Sequence, residues 1–200
     1  MSTRDERAEE TRQHLLRVAR ELFTQQGYAA VGTERIVAAA GLTRGALYHH
    51  FRDKRDLFQA VHEQLESELV SELADRLGRS TDPMAAFETG IRAFLDACTD
   101  RSRIQVTLLD APTVLGWATW REIDARHGLG LVSTALNAAM DAGAIREQQV
   151  RPLAHILISA LGEAALLIAN ADDQVAARAE VEPALFALVH GLRAGNDLIS

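Results

Sequence analysis

Apolar residues recur at helical spacing along nearly the whole chain. Leu15, Leu16, Ala19, Leu22 and Phe23 fall at i, i+1, i+4, i+7 and i+8, the buried face of a helix predicted over about 5–26 and ended by Gly27. Thr33 is the predicted N-cap of a short second helix whose Ile36, Val37 and Ala40 face inward. Gly41 can take the left-handed conformation that closes it, and Leu42 packs inward. Thr43 then caps a third helix, predicted over 44–51. At roughly 100° per residue, Leu47 and Phe51 point to one side of it and Gly45 and His49 to the other, flanked by Ala46 and Tyr48.

The pattern continues in longer elements. Asp53 and Asp56 mark the acidic first turn of a helix over 53–77, with Leu57, Val61, Leu65, Leu69, Leu73 and Leu77 at every fourth position. GRSTDP (78–83) breaks the chain, and Pro83 suits the first helical position after Asp82. Phe87, Ile91, Phe94, Leu95 and Cys98 mark the next helix. A short helical run over 104–109 is expected to stop at Asp110-Ala111-Pro112. Trp117 opens a helix expected to bend or restart after Gly128 and Gly130 and to end at Gly143. Pro152 starts a helix apolar on nearly every side (153–169), and a last helix covers about 175–192, with a bend expected near Pro183. No stretch alternates apolar and polar as a strand does, so the fold class is all-α.

Two short helices joined by a tight turn, the second turned outward, form the helix-turn-helix that reads the DNA major groove. Thr33, Ile36, Ala39, Gly41, Leu42, Gly45, Leu47, Tyr48, His50, Phe51, Lys54 and Leu57 resemble the DNA-binding domain of TetR-type (tetracycline-repressor-like) transcriptional regulators. The resemblance covers about the first quarter of the chain. It implies a three-helix DNA-binding domain (1–55, linked onward by the helix 53–77) and a helical regulatory domain (56–200) that binds a ligand and dimerises. It also implies roles for single residues. Thr33, Tyr48 and Lys54 stand at phosphate-contacting positions, and Thr43, Arg44, Gly45, Ala46 and His49 at the entry and base-facing side of the recognition helix. His50 joins them or rests against the duplex backbone. Arg44 has the fork that grips guanine O6 and N7, and Gly45 lets the helix approach base edges. Glu34 stands where some relatives carry a basic residue, which argues against base contact from the second helix.

The net charge of −7 argues at first against nucleic acid. Its distribution reverses that. Between Thr11 and Arg55 eight basic residues face three acidic ones, giving +5 and leaving −12 for the rest of the chain. A basic module on an acidic body can bind phosphate while the body discourages non-specific adhesion. Leu and Ala dominate and aromatics are few, which suits packed helices. The polar, acid-rich start is unlike a secretory signal, and no apolar segment of about 20 residues is expected to span a membrane. A single cysteine, Cys98, suits the cytoplasm, where the protein would be nucleoid-associated when bound to an operator.

Six residues are candidates for a ligand site. Trp117 and Trp120 share a helical face beside the break at Asp110; they either wall an apolar cavity or fill core. LLDAPTVLGW (108–117) resembles a pattern in one subset of the family. His155, Ser159 and Glu163 recur every fourth residue on the apolar helix, and this stripe either binds a ligand's polar group, satisfies itself, or crosses a dimer seam. Ala154, Ala160, Gly162, Ala164 and Ala165 permit close approach. With Ala184, Leu185, Leu188, Val189 and Leu192 they form either a four-helix bundle across a two-fold axis, where the family resemblance places the dimer interface, or ordinary core.

No metal spacing among the seven histidines, phosphate loop or nucleophile elbow points to an enzyme. No cofactor is implied beyond an unidentified small-molecule effector. The expected protein is a homodimeric repressor released from a near-palindromic double-stranded DNA operator by that effector. The alternative is a dimeric small-molecule binding or scaffold protein whose helix-turn-helix is vestigial.

Overall fold

The computed structural model describes residues 3–80 and 82–193. The ends of the two predicted domains (1–2 and 194–200) and Thr81 in the predicted break lie outside the described residues. The described chain is helical and groups into two compact units that are not continuous in sequence. One comprises residues up to Leu65 together with Arg101–Trp120, the other Glu66–Asp100 and residues from Arg121 onward. The predicted division at residue 55 therefore differs from the compact units, because the segment 101–120 packs with the N-terminal helices.

In the first unit, α1 (Thr3–Ala30) is broken at Gly27, whose φ of 76° and ψ of 160° leave the helical region. Helices α2 (Thr33–Ala39) and α3 (Arg44–His50) follow, then α4 (Lys54–Leu77), which runs as one helix from this unit into the residues of the other. Leu15, Ala19, Phe23, Val31, Ile36, Leu47, Leu57 and Phe58 are fully buried. The rings of Phe23, Tyr28 and Phe58 meet at 5.0–5.7 Å, joining α1 to α4.

The segment 101–115 departs from expectation. It does not stop at Asp110-Ala111-Pro112 but continues as α6 (Arg101–Ile104), a wide π-helical turn (Gln105–Asp110) and α7 (Ala111–Leu115). The cause lies in Pro112, which has no N–H to donate and whose ring crowds the carbonyl one turn back. The Ala111 N–H reaches back five residues to the Val106 carbonyl, so neither residue 111 nor 112 serves the carbonyl of Thr107. The indole Nε1–H of Trp120 donates to it instead, at 3.0 Å. A buried carbonyl orphaned by proline is thus satisfied by tryptophan.

The second unit is built from the later half of α4, α5 (Pro83–Ala97), α8 (Trp117–Asp141) from Arg121, α9 (Val150–Ala169) and α10 (Gln174–His190). The Asp82 carboxylate accepts from the Met84 N–H, and Pro83 opens α5 as expected. Helix α8 runs unbroken through Gly128 and Gly130, contrary to expectation. A side chain at 128 would meet Ile158 at 3.8 Å, ordinary van der Waals contact, so this glycine neither bends the helix nor is required by the packing of α9. An ion pair, Arg178 to Asp96 at 2.7 Å, and a hydrogen bond between His190 and Glu88 at 2.8 Å tie α10 to α5.

Helix α9 is long and apolar enough, by length and composition, to cross a membrane, with a mean hydropathy of 1.8 over its most apolar stretch. The expectation that no such segment exists is corrected. Less than half of that stretch is buried within the chain.

Candidate nucleic-acid interface and apolar cavity

Local chemistry fixes the reading helix. Gly41 has φ 64°, and the Leu42 N–H returns to the Val37 carbonyl at 2.8 Å, closing the turn. The Thr43 hydroxyl accepts from the Ala46 N–H at 3.2 Å and caps α3. The N-cap of α2 is Gly32 rather than Thr33, which begins the helix. The Thr33 hydroxyl is engaged elsewhere, on the phenol of Tyr48. That hydrogen bond, with a second from Arg44, holds the Tyr48 pKa below its ordinary value.

Leu47 is the buried side of α3. Arg44, Gly45, Tyr48 and His49 are exposed, and Ala46 and His50 are half-buried. A side chain at Gly45 would meet nothing closer than the Thr43 hydroxyl at 3.8 Å, so this face is flat and open. The Arg44 guanidinium lies 5.8 Å from the Tyr48 ring centroid and pairs with Glu34 at 3.0 Å. The His49 and His50 rings meet edge to face at 5.1 Å; burial first, then the His49 and Arg12 charges, keep His50 below its usual pKa.

Lys54, expected at a phosphate-contacting position, is engaged within the module. Its ammonium donates to the carbonyls of Tyr28 and Val31, both at 2.9 Å, and sits 3.7 Å from the Tyr28 ring centroid. Burial lowers its pKa. Two of its three donors are engaged in holding the turn between α1 and α2. Nearby contacts had no sequence signal. His14 Nε2 bonds the Ala40 carbonyl at 3.0 Å. Arg55 donates to the carbonyls of Val114 and Leu115 at the end of α7.

The six candidate ligand residues are placed as follows. Asp110 accepts from the Tyr28 N–H at 2.7 Å, beneath Gly27. Trp120 is buried on the Thr107 carbonyl, and Trp117, 56% exposed, lies 4.8 Å from it. His155, Ser159 and Glu163 are on the exposed face of α9, with Ser159 accepting from Arg121 at 2.6 Å. The second unit instead holds an apolar cavity of about 80 Å³, lined among others by Leu77, Phe87, Phe94, Leu131, Leu161 and Leu185. An adjoining one of about 60 Å³ shares Leu73, Phe94, Leu131, Val132 and Leu161 with it. None of the six candidates lines either cavity. The residues proposed for close helix approach also divide: Ala154, Ala164, Ala165, Leu185 and Val189 are buried within the chain itself.

Two family models cover most of the chain. "Bacterial regulatory proteins, tetR family" matches residues 15–61, and "Tetracyclin repressor-like, C-terminal domain" matches 84–192. The chain belongs to the TetR family. A crystal structure of a TetR-family transcriptional regulator from Pectobacterium atrosepticum is 32% identical, with a TM-score of 0.87, covering 98% of this chain and 99% of that one. RolR, solved with the ligand resorcinol, shares the fold at 20% identity and a TM-score of 0.74, covering 98% of each chain. The HTH-type transcriptional regulator AcrR of Shigella flexneri is 53% identical over 62 residues, which are 31% of this chain and 29% of AcrR. The chain spans less than two thirds of the length of the curated relatives it matches. The family is one of helix-turn-helix transcriptional regulators, and this chain carries both of its parts.

Proposed function

We propose that this TetR-family regulator is a cytoplasmic repressor that binds a near-palindromic operator as a homodimer and leaves it when a small-molecule effector binds. The observation that carries this is the outer face of α3: an arginine, a glycine and an aromatic exposed on a capped helix whose opposite side is core. Arg44 is the base reader. In the free protein it pairs with Glu34, and on DNA it exchanges that carboxylate for guanine O6 and N7. Thr33 and Tyr48, already joined through their hydroxyls, offer one donor surface to a phosphate. Gly45, Ala46 and His49 face the bases, His50 the backbone, and Thr43 caps the helix that presents them. Lys54 positions the module by tying α4 to the turn before α2.

The dimer seam is the outward stripe of the last two helices. Ile156 is 64% exposed and Leu167 and Leu188 are each 55% exposed, an apolar face that a second copy of the chain would cover. On this seam His155, Ser159 and Glu163 are polar contacts between copies. The effector site is the apolar cavity, a reading supported by the small molecule in RolR. Helix α4, continuous between the units, is the lever. An effector shifts the equilibrium only as far as it binds the DNA-incompetent state more tightly.

Anisotropy titrations of Arg44→Ala against a recovered operator and a random duplex test the reading. The expected result is a loss of roughly 10–100-fold on the operator and little change on random DNA. An unchanged preference removes Arg44 as a reader.

A further inference from the structure

The adjoining cavity has a chemical polarity that the apolar one lacks. Among the described residues that line it, the polar side chains are two carboxylates, Glu66 from α4 and Asp124 from α8. The residues lining it from α5 and α9, Phe94, Ile158, Leu161 and Gly162, carry no charge. Asp124 Oδ2 is shut off from solvent and makes no hydrogen bond. Its nearest cation is Arg121 on the same helix, with Nη1 at 3.8 Å, beyond hydrogen-bonding distance. The other Arg121 terminal nitrogen is directed to Ser159. A carboxylate oxygen buried without a donor carries a desolvation cost that a bound donor would recover.

From the shared walls of the two cavities and the unmet carboxylate oxygen, we infer that the effector is a small amphiphilic amine. Its ammonium binds Asp124, and its apolar body enters the leucine-lined cavity. This rests on the proposal that the effector occupies this cavity. Size limits the body. The two volumes, about 80 and 60 Å³, together approach the roughly 150 Å³ that admits one benzene ring. One ring or a chain of about six carbons fits. Burial raises the Asp124 pKa to about 6, against the Arg121 charge that lowers it. The carboxylate is therefore ionised at pH 7.5 and mostly neutral at pH 5, where the amine keeps its charge and loses its partner.

Calorimetry on the full chain with three probes of matched size tests this: 2-phenylethylamine, 2-phenylethanol and phenylacetate. The amine is expected to bind at least tenfold more tightly than the alcohol at pH 7.5, and the carboxylate least. Asp124→Asn should remove the amine's advantage over the alcohol, and a cooperative thermal melt shows that the variant is folded. Lowering the pH to 5 should remove that advantage in the same way. Equal binding of amine and alcohol, or preference for the carboxylate, overturns the amine class and leaves the effector cavity standing. Failure of all three probes to bind overturns both readings. Binding of the amine that survives Leu161→Trp, which fills the shared wall, places it elsewhere and also overturns the inference.

Discussion

Replacing Asp124 by asparagine should stabilise the protein at neutral pH. Burial raises the folded carboxyl from its ordinary 3.8 to about 6. A displacement of about two pH units corresponds to roughly 3 kcal/mol of penalty on the ionised form. That figure is an upper bound, because a quarter of the side chain is exposed and Arg121 stands 3.8 Å away. The asparagine amide is also polar and keeps part of the burial cost, so a gain of about 1–2 kcal/mol is expected. For a chain of this length that is a rise of about 2–8 °C in the midpoint of thermal unfolding. The sign across pH follows from the direction of the displacement. Below about pH 4 the carboxyl is neutral in both folded and unfolded chains, and wild type and variant should melt together. Between about pH 4 and 6 the carboxyl ionises in the unfolded chain but stays largely protonated in the folded one, so the wild type loses stability as pH rises, and above pH 6 the full gap should be present. Thermal melts followed by circular dichroism from pH 4 to 8 measure this. A variant no more stable at pH 7.5, or a gap that widens toward low pH, would refute the reasoning.

Three further outcomes are expected. Lys54→Ala removes the tie between α4 and the Tyr28 and Val31 carbonyls, so it should lower the melting midpoint and weaken binding to every DNA sequence. The salt slope of DNA binding should stay unchanged; a decrease of about 0.9 would instead show a direct phosphate contact. Asp110→Ala leaves the Tyr28 N–H without its acceptor and should destabilise the N-terminal module by about 1–3 kcal/mol. Hydrogen exchange at the Tyr28 amide reads this directly, and unchanged protection would contradict the bond. Ile156→Asp places a charge in the proposed seam and should give monomers in sedimentation at micromolar concentration. A variant that remains dimeric moves the interface off that stripe.

The helix-turn-helix was legible because its determinants are local. Gly27 breaks α1, Gly41 takes the left-handed turn, Thr43 caps α3 and Asp82-Pro83 opens α5, each acting within a few residues of itself. What was not legible depends on contacts between distant residues. Pro112 reads as a stop, and only the Trp120 indole on the Thr107 carbonyl shows how the helix continues through it. Gly128 reads as a break, yet α8 continues through it as one helix. Nothing near Lys54 in the sequence shows that two carbonyls some 25 positions earlier engage it. The alternatives left open for the ligand candidates have the same origin. An every-fourth-residue stripe such as His155, Ser159 and Glu163 defines a face without saying which way it turns. Asp124 carries no signal in the sequence, because its burial comes from the helices around it.

Selection of binding sites from random or genomic DNA fragments at near-physiological salt tests the central claim most directly. Recovery of an inverted repeat, with half-sites spaced for two recognition helices on one face of the duplex, is the predicted result. Fragments with no shared motif, bound weakly and released as salt rises, would contradict it and favour a binding protein whose helix-turn-helix no longer reads sequence.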